Sequence, residues 1–71
     1  MKLEEVFKKI AAITERSGVS KSELARRAGT TQPNITNILA GHRKLVTLDM
    51  IIRILDGLGY EIEIKPKYKY E

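Results

Sequence analysis

Residues 20–41, SKSELARRAGTTQPNITNILAG, constrain this chain more than any other stretch, because their local chemistry predicts two short helices joined by a tight turn. Ser20 offers a hydroxyl to an otherwise orphan backbone N–H, and Glu23, three residues on, predicts a capping box. Leu24, Ala25 and Ala28 supply a small apolar face. Gly29 permits the left-handed conformation that ends a helix. Thr30 or Thr31 can cap the next helix, and Pro33 falls in its first turn, where a missing N–H costs little. Ile35, Ile38 and Leu39 recur at helical spacing and predict an inward face, with Gly41 as the stop.

The other side of this second helix carries Gln32, Asn34, Thr36 and Asn37, all hydrogen-bonding and all uncharged. Side-chain amides both donate and accept, which is what reading base edges in a major groove requires, and Gln or Asn can pair bidentately with adenine. The plainer reading is a solvated polar face, although a helix selected for solubility more often carries Glu and Lys. The loop that follows, His42-Arg43-Lys44, is basic. Beside a helix in a groove it would hold phosphates, contacts that position a protein without reading sequence; otherwise it is a solvated loop.

The remaining periodicities fill in the frame. Leu3, Val6, Phe7, Ile10 and Ile13 predict a first helix over 3–16, with Glu4 and Glu5 near its start, Arg16 near its end and Gly18 as its stop. Val19 precedes the cap as a staple or core residue. Arg26 and Arg27 late in the next helix read as surface charges suited to the helix dipole, or one of them as a phosphate ligand. Thr47 predicts a cap for a helix over about 48–57, with Leu48, Ile51, Ile52, Leu55 and Leu58 as its inner stripe and Ile54 outside it, exposed or buried against a partner chain. After Gly59 the period changes to two. Tyr60, Ile62 and Ile64 alternate with Glu61, Glu63 and Lys65, which predicts one half-buried strand ended by Pro66. A lone strand leaves its backbone donors and acceptors unpaired. The simplest remedy is the same strand from a second copy, antiparallel about a two-fold axis; the alternative is a strand added by a different protein. Residues 66–71 form a polar tail.

Composition excludes much else. With 71 residues there is room for one domain with a small core. No Cys is present, so disulfides, thiolate metal sites and Cys nucleophiles are impossible. The single His, His42, has no nucleophile or metal-binding companions at a useful spacing. Paired carboxylates on one face and Gly-rich phosphate loops are also missing, so no enzyme and no cofactor is expected. No run approaches the roughly 18 apolar residues of a membrane span. The acidic start at Glu4-Glu5 does not read as a signal peptide, and the lack of Cys suits a reducing cytoplasm. The net charge of +4 permits a nucleic-acid partner without demanding one, since Lys65, Lys67 and Lys69 account for much of it. RNA is a poor candidate because the amide helix carries no stacking aromatic.

The spaced positions Glu23-Leu24-Ala25, Ala28-Gly29, Gln32, Ile35, Gly41, Leu48 and Leu58-Gly59 make the chain resemble the Cro/lambda-repressor (Xre) helix-turn-helix family over about residues 3–64. Where relatives often carry Gln, Glu and Pro, this chain has Lys21, Leu39 and Val46-Thr47. The variant ending, with Tyr60-Glu61-Ile62-Glu63-Ile64 attached, looks most like the DNA-binding antitoxins of toxin–antitoxin operons.

The resemblance implies a mainly all-α fold: a compact four-helix helix-turn-helix domain over 1–59, a dimerisation strand at 60–65 carrying Tyr60, Ile62 and Ile64, and the tail 66–71. It implies a homodimeric transcriptional repressor that lays the amide helix in the major groove of a palindromic double-stranded DNA operator. Gln32 and Asn37 are then the leading base readers, with Asn34 and Thr36 next, and Pro33 limited to van der Waals contact. Lys21, Thr31, His42, Arg43 and Lys44 would hold phosphates. A cognate toxin is a further partner that the antitoxin likeness implies, and no membrane is involved. The rival expectation is a protein-interaction module whose main act is to neutralise a toxin, with DNA binding secondary or partner-dependent.

Overall fold

The structure, a computed structural model, describes residues 2–43 and 45–68. Four helices follow one another: α1 (Leu3–Ser17), α2 (Lys21–Ala28), α3 (Gln32–Leu39) and α4 (Leu48–Gly57). Three of their starts are chemically marked. The hydroxyls of Ser20, Thr31 and Thr47 accept from the backbone N–H of Glu23, Asn34 and Met50, at 3.1, 3.3 and 3.1 Å. Each satisfies a donor that the helix itself cannot pair. Pro33 lies in the first turn of α3, as expected.

Between α2 and α3 the chain reverses at Gly29, whose φ of 71° lies in the left-handed region. The N–H of Thr30 then reaches back to the carbonyl of Ala25 at 2.9 Å, so the end of α2 is closed by backbone alone. A side chain at Gly29 would strain this turn.

One core joins the helices. Phe7 and Ile10 of α1, Leu24, Ala25 and Ala28 of α2, Ile35 and Ile38 of α3, and Ile51 and Ile54 of α4 are all buried. α2 packs on both α3 and α4, and α3 packs on α1. Ala25 and Ala28 let α2 approach its neighbours closely. At Gly57 the approach is closer still: a Cβ there would lie 3.1 Å from Arg27 Cβ and 3.2 Å from Leu24 Cδ1. No buried side-chain polar atom lacks a partner among the described residues. Thr14 is buried in α1 and donates its hydroxyl to the Ile10 carbonyl at 2.8 Å, while of the expected apolar face Ile13 is half-buried and Leu3 exposed.

Two expectations are corrected. In α4, Ile54 is fully buried at 0% exposure, whereas Leu48 and Ile52 are exposed at 64% and 46%. Asp49, Arg53 and Asp56 recur at i, i+4 and i+7 and mark the solvent side; directly opposite them stand Ile51, Ile54, Leu55 and Leu58. With six apolar residues spread widely around the helix, and Leu58 just past its end, the apolar positions alone point nowhere definite, and the polar ones carry the orientation. The strand over 60–65 is not formed. Residues 61–66 have no regular secondary structure, and Tyr60, Ile62 and Ile64 are exposed rather than half-buried. A ladder needs a second strand, and none exists among the described residues. The radius of gyration of 13.0 Å exceeds the roughly 11 Å of a compact chain of this length, in keeping with a segment that leaves the helical body.

Candidate nucleic-acid interface

The two motif helices are both eight residues long, and they use their polar side chains in opposite ways. On α2, Glu23 does not complete the expected capping box. Its carboxylate accepts instead from Arg26 Nε at 3.0 Å and Arg27 Nε at 2.9 Å, with a further short contact to Arg26 Nη2. Arg26 first, then Arg27, hold the Glu23 carboxyl down to about 2, well below the ordinary range, and Glu23 in turn raises the Arg26 guanidinium. Arg27 also donates through Nη1 to the Gly57 carbonyl at 2.8 Å. That bond ties α2 to the C-terminal end of α4 and occupies the orphan carbonyl there. Arg26 and Arg27 are therefore engaged within the molecule.

On α3, Ile35 and Ile38 face inward and are fully buried, while Gln32, Pro33 and Asn37 are exposed. Among the described residues, the side-chain amides of Gln32 and Asn37 make no hydrogen bond within the chain. The helix has no acid in its first turn, unlike α1, α2 and α4. Its positive end is thus left uncompensated, which favours an approaching phosphate. Thr31 is exposed at that end; its oxygen accepts the cap bond and its hydroxyl proton remains available to donate.

Asn34 and Thr36 stand differently. Both are half-buried. Asn34 donates through Nδ2 to Thr30 Oγ1 at 2.9 Å and accepts at Oδ1 from Arg43 Nη1. This chain of bonds fixes the amide of Asn34 and carries the guanidinium of Arg43 to the flank of α3. A guanidinium has five donors, so Arg43 keeps others for a phosphate. Thr36 shares a shallow depression with Val19, Lys21 and Ala40, which places Lys21 beside α3 rather than at a distance from it. His42 is exposed in the loop, and Lys44 lies outside the described residues.

Sequence reasoning left Lys8 unassigned. The packing of α1 on α3 brings it into a depression with Glu4, Ala40, Gly41 and Arg43 at the C-terminal end of α3. Nothing local in the sequence signals its approach to α3, because Ala40, Gly41 and Arg43 are more than thirty residues from Lys8. Among the described residues there is no cluster of His, Cys, Asp and Glu that could hold a metal, and no helix long and apolar enough to cross a membrane.

No curated protein and no solved structure matches the chain. A family model for the helix-turn-helix domain matches residues 4–67, from the first turn of α1 to beyond Pro66. The geometry agrees: two short helices joined by a tight left-handed turn, the second with a buried inner face and an uncharged exposed one, the arrangement in which a DNA-binding regulator presents its recognition helix. The chain belongs to the helix-turn-helix domain family.

Proposed function

We propose that this protein is a sequence-specific transcriptional repressor of the Xre type, acting as a homodimer on a palindromic operator, and that it is an antitoxin repressing its own operon. The observation that carries the reading is α3: fixed from beneath by Ile35 and Ile38, and outwardly uncharged with Gln32 and Asn37 disengaged from the rest of the fold among the described residues. In the major groove these two amides would read base edges, with Pro33 against a thymine methyl and Thr36 at the margin. Asn34 then acts mainly by positioning Arg43. Lys21, Arg43 and Lys44, with Lys8 added, neutralise phosphates, and Thr31 and His42 hydrogen-bond them. Two protomers would present α3 about one helical turn of DNA apart, roughly 34 Å, and repression is steric exclusion of polymerase. The protein acts in the cytoplasm and performs no catalysis.

The test is footprinting of the purified protein on DNA upstream of its own gene at two salt concentrations. A protected palindrome is expected, with log K falling by about 0.9 per decade of salt for each phosphate neutralised. No protection at low salt would overturn the reading.

One observation favours a second reading. The exposed apolar side chains of Tyr60, Ile62 and Ile64 also suit a toxin that adds a strand to this segment. Loss of toxin binding on removal of residues 60–71, with DNA binding untouched, would support toxin neutralisation as the main act.

A further inference from the structure

Residues 60–68 read YEIEIKPKY, and the string is symmetric in kind about Ile64. Tyr60 answers Tyr68, Ile62 answers Pro66, and the acids Glu61 and Glu63 answer the bases Lys67 and Lys65. We propose that two copies of this chain join through these residues as an antiparallel two-stranded ribbon whose two-fold axis passes through the Ile64 pair. The proposal rests on the homodimer reading above and specifies its interface and register.

The charges select that register. With the axis at Ile64, Glu61 faces the partner's Lys67 and Glu63 faces the partner's Lys65, so every charge meets its opposite. An axis at Ile62 sets Glu61 against the partner's Glu63; an axis at Glu63 or Lys65 sets that residue against itself. A parallel in-register pair sets like charges opposite throughout. A slip by one residue mixes the apolar face of one strand with the charged face of the other. Like charges directly opposite are destabilising and opposite charges stabilising, so one arrangement satisfies the whole segment.

The same register accommodates Pro66. Opposed pairs in an antiparallel ladder alternate between hydrogen-bonded and non-hydrogen-bonded. If the Ile64 pair is non-hydrogen-bonded, so is Pro66 opposite Ile62, and the missing N–H points away from the partner strand. The ladder bonds then run through Glu61, Glu63, Lys65 and Lys67, all of which have an N–H to give. The strand thus continues through Pro66 instead of ending there.

The single chain is prepared for this. Among the described residues, no backbone hydrogen bond is made beyond the one from the Tyr60 N–H to the Leu55 carbonyl. Ile64 is 93% exposed. Glu63 and Lys65 already lie on one side of the backbone, with Lys65 Nζ 3.8 Å from Glu63 Oε2. Ile52, one of the apolar residues that α4 turns outward, lines a shallow groove with Tyr60 and Ile62, alongside the charged Arg53, Asp56 and Glu61.

The absence of Cys permits a direct test in the full chain. In Ile64→Cys the two sulfurs sit on a directly opposed pair, with Cβ atoms about 4.5–5.5 Å apart, close to disulfide reach. In Ile62→Cys the register separates them by four residues along the strand, roughly 13 Å. Mild oxidation is expected to give at least tenfold more covalent dimer from Ile64→Cys than from Ile62→Cys. Sedimentation of the Glu61→Lys/Glu63→Lys double variant should show self-association weakened about tenfold or more, restored on mixing with Lys65→Glu/Lys67→Glu. Equal or greater cross-linking at position 62, or a dimer unaffected by the charge reversal, would overturn the ribbon. DNA protection, measured alongside, separates the two readings: protection that persists with no ribbon overturns the ribbon alone, and a ribbon without protection overturns the repressor alone.

Discussion

α2 and α3 are equal in length, similarly capped by a hydroxyl and packed against each other, yet their outward faces differ in kind. Beyond Lys21 at its start, the charged side chains of α2 are spent inside the molecule: Glu23 on Arg26 and Arg27, and Arg27 on the Gly57 carbonyl. The polar side chains of α3 are held back from it: among the described residues Gln32 and Asn37 are exposed and only Asn34 is drawn into a local network. The difference teaches where binding can reside. Charges satisfied at home have little to offer a partner, whereas moving Gln32 or Asn37 into a groove breaks no hydrogen bond within the chain among the described residues. α2 supports, and α3 presents.

The contrast can be broken most violently from beneath. Ile35→Ala removes a fully buried side chain from the inner face of α3 and should lower stability by about 2–5 kcal/mol in urea unfolding. On the outer face, Asn37→Ala should leave stability within about 0.5 kcal/mol but weaken operator binding by about 1–3 kcal/mol; Gln32→Ala should behave alike. A stability loss from Asn37→Ala comparable with that from Ile35→Ala would abolish the distinction between the two faces. At the α2–α4 junction, Gly57→Ala gains helix propensity but drives a methyl into Leu24 and Arg27. The buried Leu24 cannot yield, so a net destabilisation of about 1 kcal/mol is expected in the same assay, with DNA binding unchanged at native conditions.

The smallest effect concerns pH. The Glu23 carboxyl is held down to about 2 in the folded chain against an ordinary value of 4.5. A depressed carboxyl stabilises the fold above its unfolded value, and the contribution is lost as pH falls from about 4.5 toward 2. Stability of the native chain should therefore decline over that window more than that of Glu23→Gln. A carboxyl titrating near 4.5 in an NMR experiment would show that α2 does not hold its charges at home.

Much of this fold was legible because its punctuation is local. Ser20, Thr31 and Thr47 cap helices through bonds to residues three positions away, and Gly29 closes α2 through its own backbone; such signals need no tertiary knowledge. The inward set of α3 followed from spacing for the same reason. Orientation was harder wherever apolar residues were plentiful. In α4 the spacing of apolar residues alone points to the wrong stripe, whereas Asp49, Arg53 and Asp56, taken as the solvent side, send Ile54 inward and Ile52 outward. Pairings over long separations were not legible: Arg27 with Gly57, Arg43 with Asn34, and Lys8 beside Arg43 depend on how the helices dock. Residues 60–65 have the alternation of a strand, but alternation specifies only which face a residue would take; the ladder itself requires another strand, which one chain does not supply.

The central claim is that the outward amides of α3 read base sequence. Selection of bound duplexes from a randomised DNA pool by the native chain and by Asn37→Ala, at matched salt, tests it most directly. The account predicts that the native chain enriches a palindrome, and that Asn37→Ala loses preference at one symmetric pair of positions while its salt dependence is unchanged. An unenriched pool from the native chain, or an identical palindrome from the variants Asn37→Ala and Gln32→Ala, would contradict it.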